Sequence, residues 1–77
     1  MNQFWYRTRA GVFRILQTRD GWHPVFEDRR LGRYDTPQQA LDDLAGGHTW
    51  SIPGGVDTSR LGLPDELADW HTGAPDD

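Results

Sequence analysis

His23, His48 and His71 are the residues of this 77-residue chain best suited to metal binding or proton transfer. Zinc-binding helices place two ligands four residues apart, so that both lie on one face, and no pair of these histidines has that spacing. The chain contains no cysteine, which excludes a thiolate site and a disulfide framework. The sequence therefore predicts surface or hydrogen-bonded histidines and no metal site.

Carboxylates and hydroxyls are the other groups that could support catalysis. Asp42–Asp43 and Asp65–Glu66 are adjacent pairs, but neighbouring residues on a helix point about 100° apart, so we interpret both pairs as solvated surface. The run 57–59 (Asp-Thr-Ser), together with His48, contains the residue types of a nucleophile system. Loop capping by Asp57 and Ser59 is the interpretation we favour. The sequence predicts no enzymatic activity and no cofactor.

Charge is distributed unevenly along the chain. Residues 1–37 carry seven arginines and four acidic residues, whereas residues 38–77 carry one arginine and eight acidic residues, giving a net charge of −4 with no lysine. Attraction between the two halves is one explanation of this pattern. An arginine-bearing surface that meets an anionic partner is the other.

Aromatic and β-branched residues in the first half predict an antiparallel meander of three or four strands. Segments 3–9 and 11–18 read as a hairpin with Ala10-Gly11 between them. Asp20-Gly21 favours a tight turn into a third strand over 22–28. Pro24 cannot donate a ladder hydrogen bond, so an edge or an irregularity is expected there. After a turn at 29–30, residues 31–34 form the short fourth strand.

A helix is predicted over residues 36–45. Thr36 is a good N-cap, Pro37 suits the first helical position, Gln39 completes a capping box, and Gly46 lies where a left-handed C-cap is expected. The helix has a single apolar face, which must pack on the sheet. That face is formed by Pro37, Ala40, Leu41, Leu44 and Ala45.

The chain is thus predicted to be one α+β domain over residues 1–71, with a loop-rich segment at 48–70 that covers the sheet. Within that segment a short helix is expected over 64–70, and the acidic residues 72–77 are expected to be frayed. The N-terminus lacks the pattern of a secretory signal, and no stretch is apolar enough to span a membrane. We expect a soluble cytoplasmic protein without a membrane partner.

Three segments resemble the plant ethylene-response-factor DNA-binding domain and its integrase relatives: GVFR at 11–14, Gly-Trp at 21–22, and LGRYDTPQQALDDLA at 31–45. The resemblance implies three antiparallel strands followed by a helix. It also implies arginines and tryptophans on the sheet face away from the helix, where they enter the major groove of DNA. GHTW, VDTSRLG and LPDELADW resemble a family of small bacterial proteins with no established activity.

Strand alternation tests whether the DNA face carries over. With Trp22, Pro24 and Phe26 towards the helix, the register matched to the resembling domain puts Phe13 and Ile15 on the opposite face and Arg14 on the helix side. An apolar second face needs a cover. We therefore expect segment 48–70 to occlude the face that the resemblance assigns to DNA.

The function predicted from these observations is a small noncatalytic module that binds a protein partner. Arginine and tryptophan are enriched at interfaces, so the predicted partner-binding residues are Arg29, Arg30, Arg33, Arg9 and Trp5.

The alternative is nucleic-acid binding through arginines near the hairpin turns, with Trp5 or Trp22 stacking on bases. The acidic net charge disfavours it, because nucleic-acid-binding domains are usually strongly basic. The arginines of this alternative are Arg9, Arg19, Arg29, Arg30 and Arg33.

Overall fold

The computed structural model describes residues 3–49, residue 52 and residues 54–73. These residues form an antiparallel five-stranded sheet in the order β4-β3-β2-β1-β5 and one α-helix. The predicted α+β fold, with its meander and single helix, is confirmed. The elements are β1 (Gln3–Thr8), β2 (Gly11–Thr18), β3 (Gly21–Phe26), β4 (Arg29–Arg30), α1 (Pro37–Gly46) and β5 (His71–Thr72), with 3-10 turns at Thr58–Arg60 and Leu67–Asp69.

The first two hairpin turns share one local sequence, Thr-Arg-Xaa-Gly, at residues 8–11 and 18–21. In each turn the threonine Oγ1 accepts a hydrogen bond of 3.1 Å from the backbone N–H two residues on, at Ala10 and at Asp20. The glycines that end the turns have φ angles of 137° and 135°, which side-chain-bearing residues rarely adopt. Two residues separate the paired strands at each turn, and this spacing sets the register of all three long strands.

That register places Phe13 and Ile15 on the helix side of the sheet. Phe13 lies opposite Phe26, and both Phe13 and Ile15 are fully buried in the core with Leu41 and Leu44 of α1. The prediction that Phe13 and Ile15 lie away from the helix is therefore wrong. The register taken from the resemblance was off by one residue on β2, and a shift of one residue exchanges the two faces of a strand.

The C-terminal segment packs on this same side. Ile52 and Trp70 are 6% and 5% exposed and belong to the core that contains α1. The helix packs on β2 and β3, while the Trp70 ring lies 5.8 Å from the Tyr6 ring of β1. The predicted cover over the second face is wrong, because the ten-residue helix leaves the β1 part of the first face for this segment. Trp50 lies outside the described residues.

The fourth strand begins earlier than predicted. Glu27 and Asp28 form the turn, Glu27 with a φ of 58°, and β4 is Arg29–Arg30. Residues 31–34 still follow β3: the Leu31 N–H donates to the Pro24 carbonyl (2.7 Å), and Trp22 pairs with Tyr34. Trp22 pairs with Tyr34, and Val25 pairs with Arg30. Two residues lie between Trp22 and Val25 on β3, but three lie between Arg30 and Tyr34, so the chain bulges after β4. The backbone nitrogen of Pro24, which carries no hydrogen, faces this bulge, in agreement with the predicted irregularity.

The helix ends agree with the sequence to within one residue. The Thr36 side chain accepts from the Gln39 N–H at 3.1 Å, and the C-cap in the left-handed conformation is Gly47 rather than Gly46. Only a 3-10 turn at Leu67–Asp69 forms within the short helix predicted over 64–70. Thr72, predicted to be frayed, pairs with β1 as part of β5; residues 74–77 lie outside the described residues.

Replacing Gly21 by alanine is expected to destabilise the protein more than replacing Gly62. Both glycines have positive φ angles, so each substitution should cost about 1–3 kcal/mol in backbone strain. A Cβ at Gly21 would also lie 2.5 Å from the Tyr34 carbonyl oxygen, whereas one at Gly62 would meet no atom within 4 Å. Urea unfolding should give a clearly larger loss of unfolding free energy for Gly21→Ala. Equal losses would contradict the close approach of Tyr34.

Replacing Leu44 by alanine should cost roughly 2–5 kcal/mol of unfolding free energy, because Leu44 is fully buried between α1 and the sheet. The exposed Gln39 of the same helix is the matched control, and Gln39→Ala should change stability by less than about 0.5 kcal/mol. Chemical denaturation measures both. A silent Leu44→Ala would show that the helix does not pack as described.

Candidate interaction surface

The sheet face opposite α1, which we call the open face, collects every second residue of the strands. The helix and both 3-10 turns contact one another and the core on the other side of the sheet. The pairing register assigns the members of the open face directly. They are Gln3, Trp5, Arg7, Val12, Arg14, Leu16, Thr18, His23, Val25, Arg30 and His71.

A row of five of these side chains crosses the sheet, one from each strand. It runs Arg30, Val25, Arg14, Trp5 and His71. Adjacent strands are about 4.8 Å apart, so Arg14 and Arg30 stand about 10 Å apart with Val25 between them. The row therefore presents two cations and an aromatic group in line, with the buried Val25 between the two cations.

Trp5 is held between aromatic and cationic neighbours. The His71 ring lies 4.4 Å from the Trp5 ring at an interplanar angle of 30°. The Arg7 guanidinium lies 5.9 Å from the Trp5 ring centroid, within the range of a cation–π contact. These contacts restrict the rotamers of Trp5, so less entropy is lost when a ligand packs on it.

The arginines of the open face are not neutralised by nearby carboxylates. Arg7 and Arg30 are exposed, and Arg14 is half-buried with Nη2 donating to the Glu27 carbonyl oxygen at 3.0 Å. None of the three forms an ion pair with a described residue. The ion pairs found in the described part of the chain join Arg33 to Asp35 (3.1 Å) and Arg60 to Asp57 (3.6 Å).

The acidic residues concentrate on the other side of the sheet. Helix α1 carries Asp42 and Asp43 and no basic residue, and the segment that packs beside it carries Asp57, Asp65, Glu66 and Asp69. The uneven charge along the sequence thus becomes two surfaces of opposite charge. The Glu27 side chain, in the turn after β3, lies beside Gly11, which the pairing register assigns to the helix side of the sheet.

His23 is buried on the open face with both ring nitrogens engaged. Nδ1 is 2.9 Å from the Gly32 carbonyl oxygen, and Nε2 is 2.9 Å from Thr18 Oγ1. A carbonyl oxygen only accepts, so Nδ1 carries a proton and donates it to Gly32. His23 is hydrogen-bonded within the structure, as predicted.

The predicted partner-binding residues do not form one surface. Trp5 and Arg30 share the open face, whereas Arg29 pairs with Phe26 and so belongs to the other face. Arg9, in the first turn, donates to the Arg60 carbonyl oxygen at 3.1 Å. Arg33 donates to the Asp20 carbonyl oxygen at 2.6 Å and pairs with Asp35.

Sequence reasoning missed Arg7, Arg14 and His71. The positions of the two arginines could have been predicted from the sequence. A two-residue turn at Arg9–Ala10 pairs Trp5 with Arg14, and strand alternation then places Arg7 on the same face as Trp5. His71 had none, because β5 has only two residues and its pairing with β1 spans most of the chain.

Asp57, Thr58 and Ser59, which were considered for catalysis, have structural roles. Asp57 caps the turn Thr58–Arg60, and the hydroxyl and N–H of Ser59 that donate to it lower the pKa of the carboxyl group. Thr58 Oγ1 donates to the Leu44 carbonyl oxygen at the end of α1. Loop capping by Asp57 was predicted and is confirmed.

Grouped metal ligands and membrane-spanning helices are both absent from the part of the chain that the structure describes. No three histidine, aspartate or glutamate side chains among them are grouped as metal ligands. Within the same residues, no helix combines the length and the apolar composition needed to cross a bilayer.

Besides the open face, an acidic cleft lies between the bulged segment and α1. It is lined by Arg33, Tyr34, Asp35, Gln39, Asp42 and Asp43. Burial, together with the nearby Asp43 carboxylate, raises the pKa of Tyr34 to about 12. A carboxylate-lined cleft with its arginine already paired offers little to an anionic ligand, so the open face is the stronger candidate.

Comparison of the chain with protein-family models, with curated proteins and with solved structures finds no match.

The raised pKa of Tyr34 predicts a loss of stability in alkaline solution. The unfolded chain releases this proton near pH 10, whereas the folded chain holds it to about pH 12. Neutral Tyr34 therefore stabilises the fold below about pH 10, and this contribution is lost as the pH rises through about 12. Tyr34→Phe should flatten that part of the curve of unfolding free energy against pH. An unchanged curve would contradict the assignment.

Proposed function

We propose that this chain is a small noncatalytic binding module that docks a protein partner on its open face. The observation that carries the proposal is a set of three arginines without carboxylate partners among the described residues, on the sheet face that also carries Trp5. Tryptophan and arginine dominate the residues whose loss most weakens protein interfaces. Of the partner-binding residues predicted from the sequence, Trp5 and Arg30 lie on the open face and are kept in this proposal.

The charge distribution supports a partner that docks in one orientation. Arg7, Arg14 and Arg30 lie on the open face, while the acidic helix and C-terminal segment lie behind the sheet. Such an arrangement attracts a negatively charged surface to one side only, which mainly sets association rate and orientation. Arg9, Arg29 and Arg33 lie off this face, and their part in binding stays a prediction.

A noncatalytic role is supported by what the reactive side chains do. His23 is held by Thr18 and Gly32, and Asp57 and Ser59 cap a turn. Both sets of side chains use their hydrogen-bonding groups within the fold.

Nucleic-acid binding through the same face is the second candidate. The observed register puts Arg14, rather than Phe13 and Ile15, on the face that the resemblance to the ethylene-response-factor domain assigns to DNA. Bases could stack on Trp5 while the arginines contact phosphates. The net charge of −4 and the absence of lysine favour the protein partner, because nucleic-acid affinity comes largely from neutralising many phosphates.

The test is capture of partners by the tagged chain from a lysate of its native host, with and without nuclease. The double variant Arg7→Glu with Arg30→Glu reverses two exposed charges of the open face. Arg19→Glu, at an exposed turn position, is the matched control. We expect nuclease-resistant protein capture that the double variant loses and the control retains, with all melting temperatures similar.

Two outcomes decide against the proposal. Undiminished capture by the double variant would remove the open face from partner binding. Capture that nuclease abolishes, and that still depends on Arg7 and Arg30, would establish the nucleic-acid candidate instead.

A further inference from the structure

We infer that the partner presents an extended segment to the open face, and that carboxylates and aliphatic side chains alternate along one side of this segment. This inference rests on the proposed function and names the chemistry of the partner.

The order of side chains along β2 supports a segment of this kind. Val12, Arg14 and Leu16 are successive members of the open face, so that one arginine stands between two half-buried aliphatic side chains. Residues that share a face of a strand are about 7 Å apart. An extended segment has the same spacing, so a carboxylate flanked by two aliphatic side chains would meet all three residues in register.

Charge and apolar surface are mixed on the open face. Across the strands, Arg30 and Arg14 are separated by Val25, which is 6% exposed and leaves little aliphatic surface for a ligand. A purely acidic segment would pair the arginines but leave Val12 and Leu16 half in water. A purely aliphatic segment would bury arginines without partners, which is strongly unfavourable. A mixed segment matches the face along β2.

The number of charges on the open face also favours a short acidic segment. The open face offers three arginines, two of them exposed, on a chain whose net charge is −4. A few carboxylates are matched by such a face, whereas a polyanion such as a nucleic acid would also meet repulsion from the rest of the molecule. The face therefore fits a short, locally acidic protein segment.

The probe is a fluorescein-labelled peptide that repeats Glu-Ser-Leu-Ser, which places glutamate and leucine alternately on one side of an extended chain. Two control peptides replace every glutamate by glutamine or every leucine by serine. Fluorescence anisotropy with the full chain should show binding of the first peptide and about tenfold weaker binding of each control. Binding of the first peptide should also weaken as salt is raised.

The protein variants locate the binding. Arg30→Glu and Arg7→Glu should each weaken binding of the Glu-Ser-Leu-Ser peptide by about tenfold, while Arg19→Glu should leave the affinity unchanged. Because Arg7 and Arg30 are exposed, these variants are expected to keep the wild-type melting temperature. Val25→Ala is not used, since Val25 is 6% exposed and its loss would change stability.

The results separate this inference from the proposed function. Equal binding of the glutamate and glutamine peptides, or binding that ignores Arg7 and Arg30, overturns the inference. If face-dependent capture from the lysate persists in that case, the proposed function stands and only the partner chemistry is wrong. A labelled oligothymidine that binds in place of the peptide, and is lost with Arg30→Glu, overturns the inference in favour of nucleic acid.

Discussion

The pairing register of the three long strands is the constraint on which the other features of this molecule depend. Two Thr-Arg-Xaa-Gly turns set it, each with a threonine hydroxyl bonded to the turn backbone and a glycine at a positive φ angle. A slip of one residue would exchange Phe13 and Ile15 with Arg14 and its neighbours, so that arginine would enter the core. Burial of charge without partners makes that alternative very unfavourable, and the hydrophobic pattern and the turns therefore select the same register.

A chain of this length has enough apolar material for one buried side of its sheet. The ten-residue helix covers β2 and β3, and Ile52 and Trp70 complete the core on the same side. No helix or 3-10 turn of the described residues packs on the other side, where aliphatic groups stand beside arginines; arginine stems shield apolar surface while their charged ends stay in water. Val25, 6% exposed between Arg14 and Arg30, is an example.

This division of the sheet also decides how the charges act. The net charge of −4 describes an acidic protein, yet three arginines share a face whose strand residues include no aspartate or glutamate. Interactions between surface charges weaken beyond about 8–10 Å at physiological salt, so a ligand at the open face senses mainly those arginines. The charge on this face therefore differs in sign from the net charge of the chain.

Local interactions are what the sequence by itself determined: the turn at Asp20-Gly21, the N-cap at Thr36 and the apolar side of α1 depend on residues a few positions apart. The tertiary structure alone decided that Ile52 and Trp70 join the helix side and that His71 stacks on Trp5, since these contacts join distant residues. The composition of the open face lies between the two cases. Alternation and the two-residue turns encode it, but a single-residue error in register reverses the assignment of every side chain on a strand.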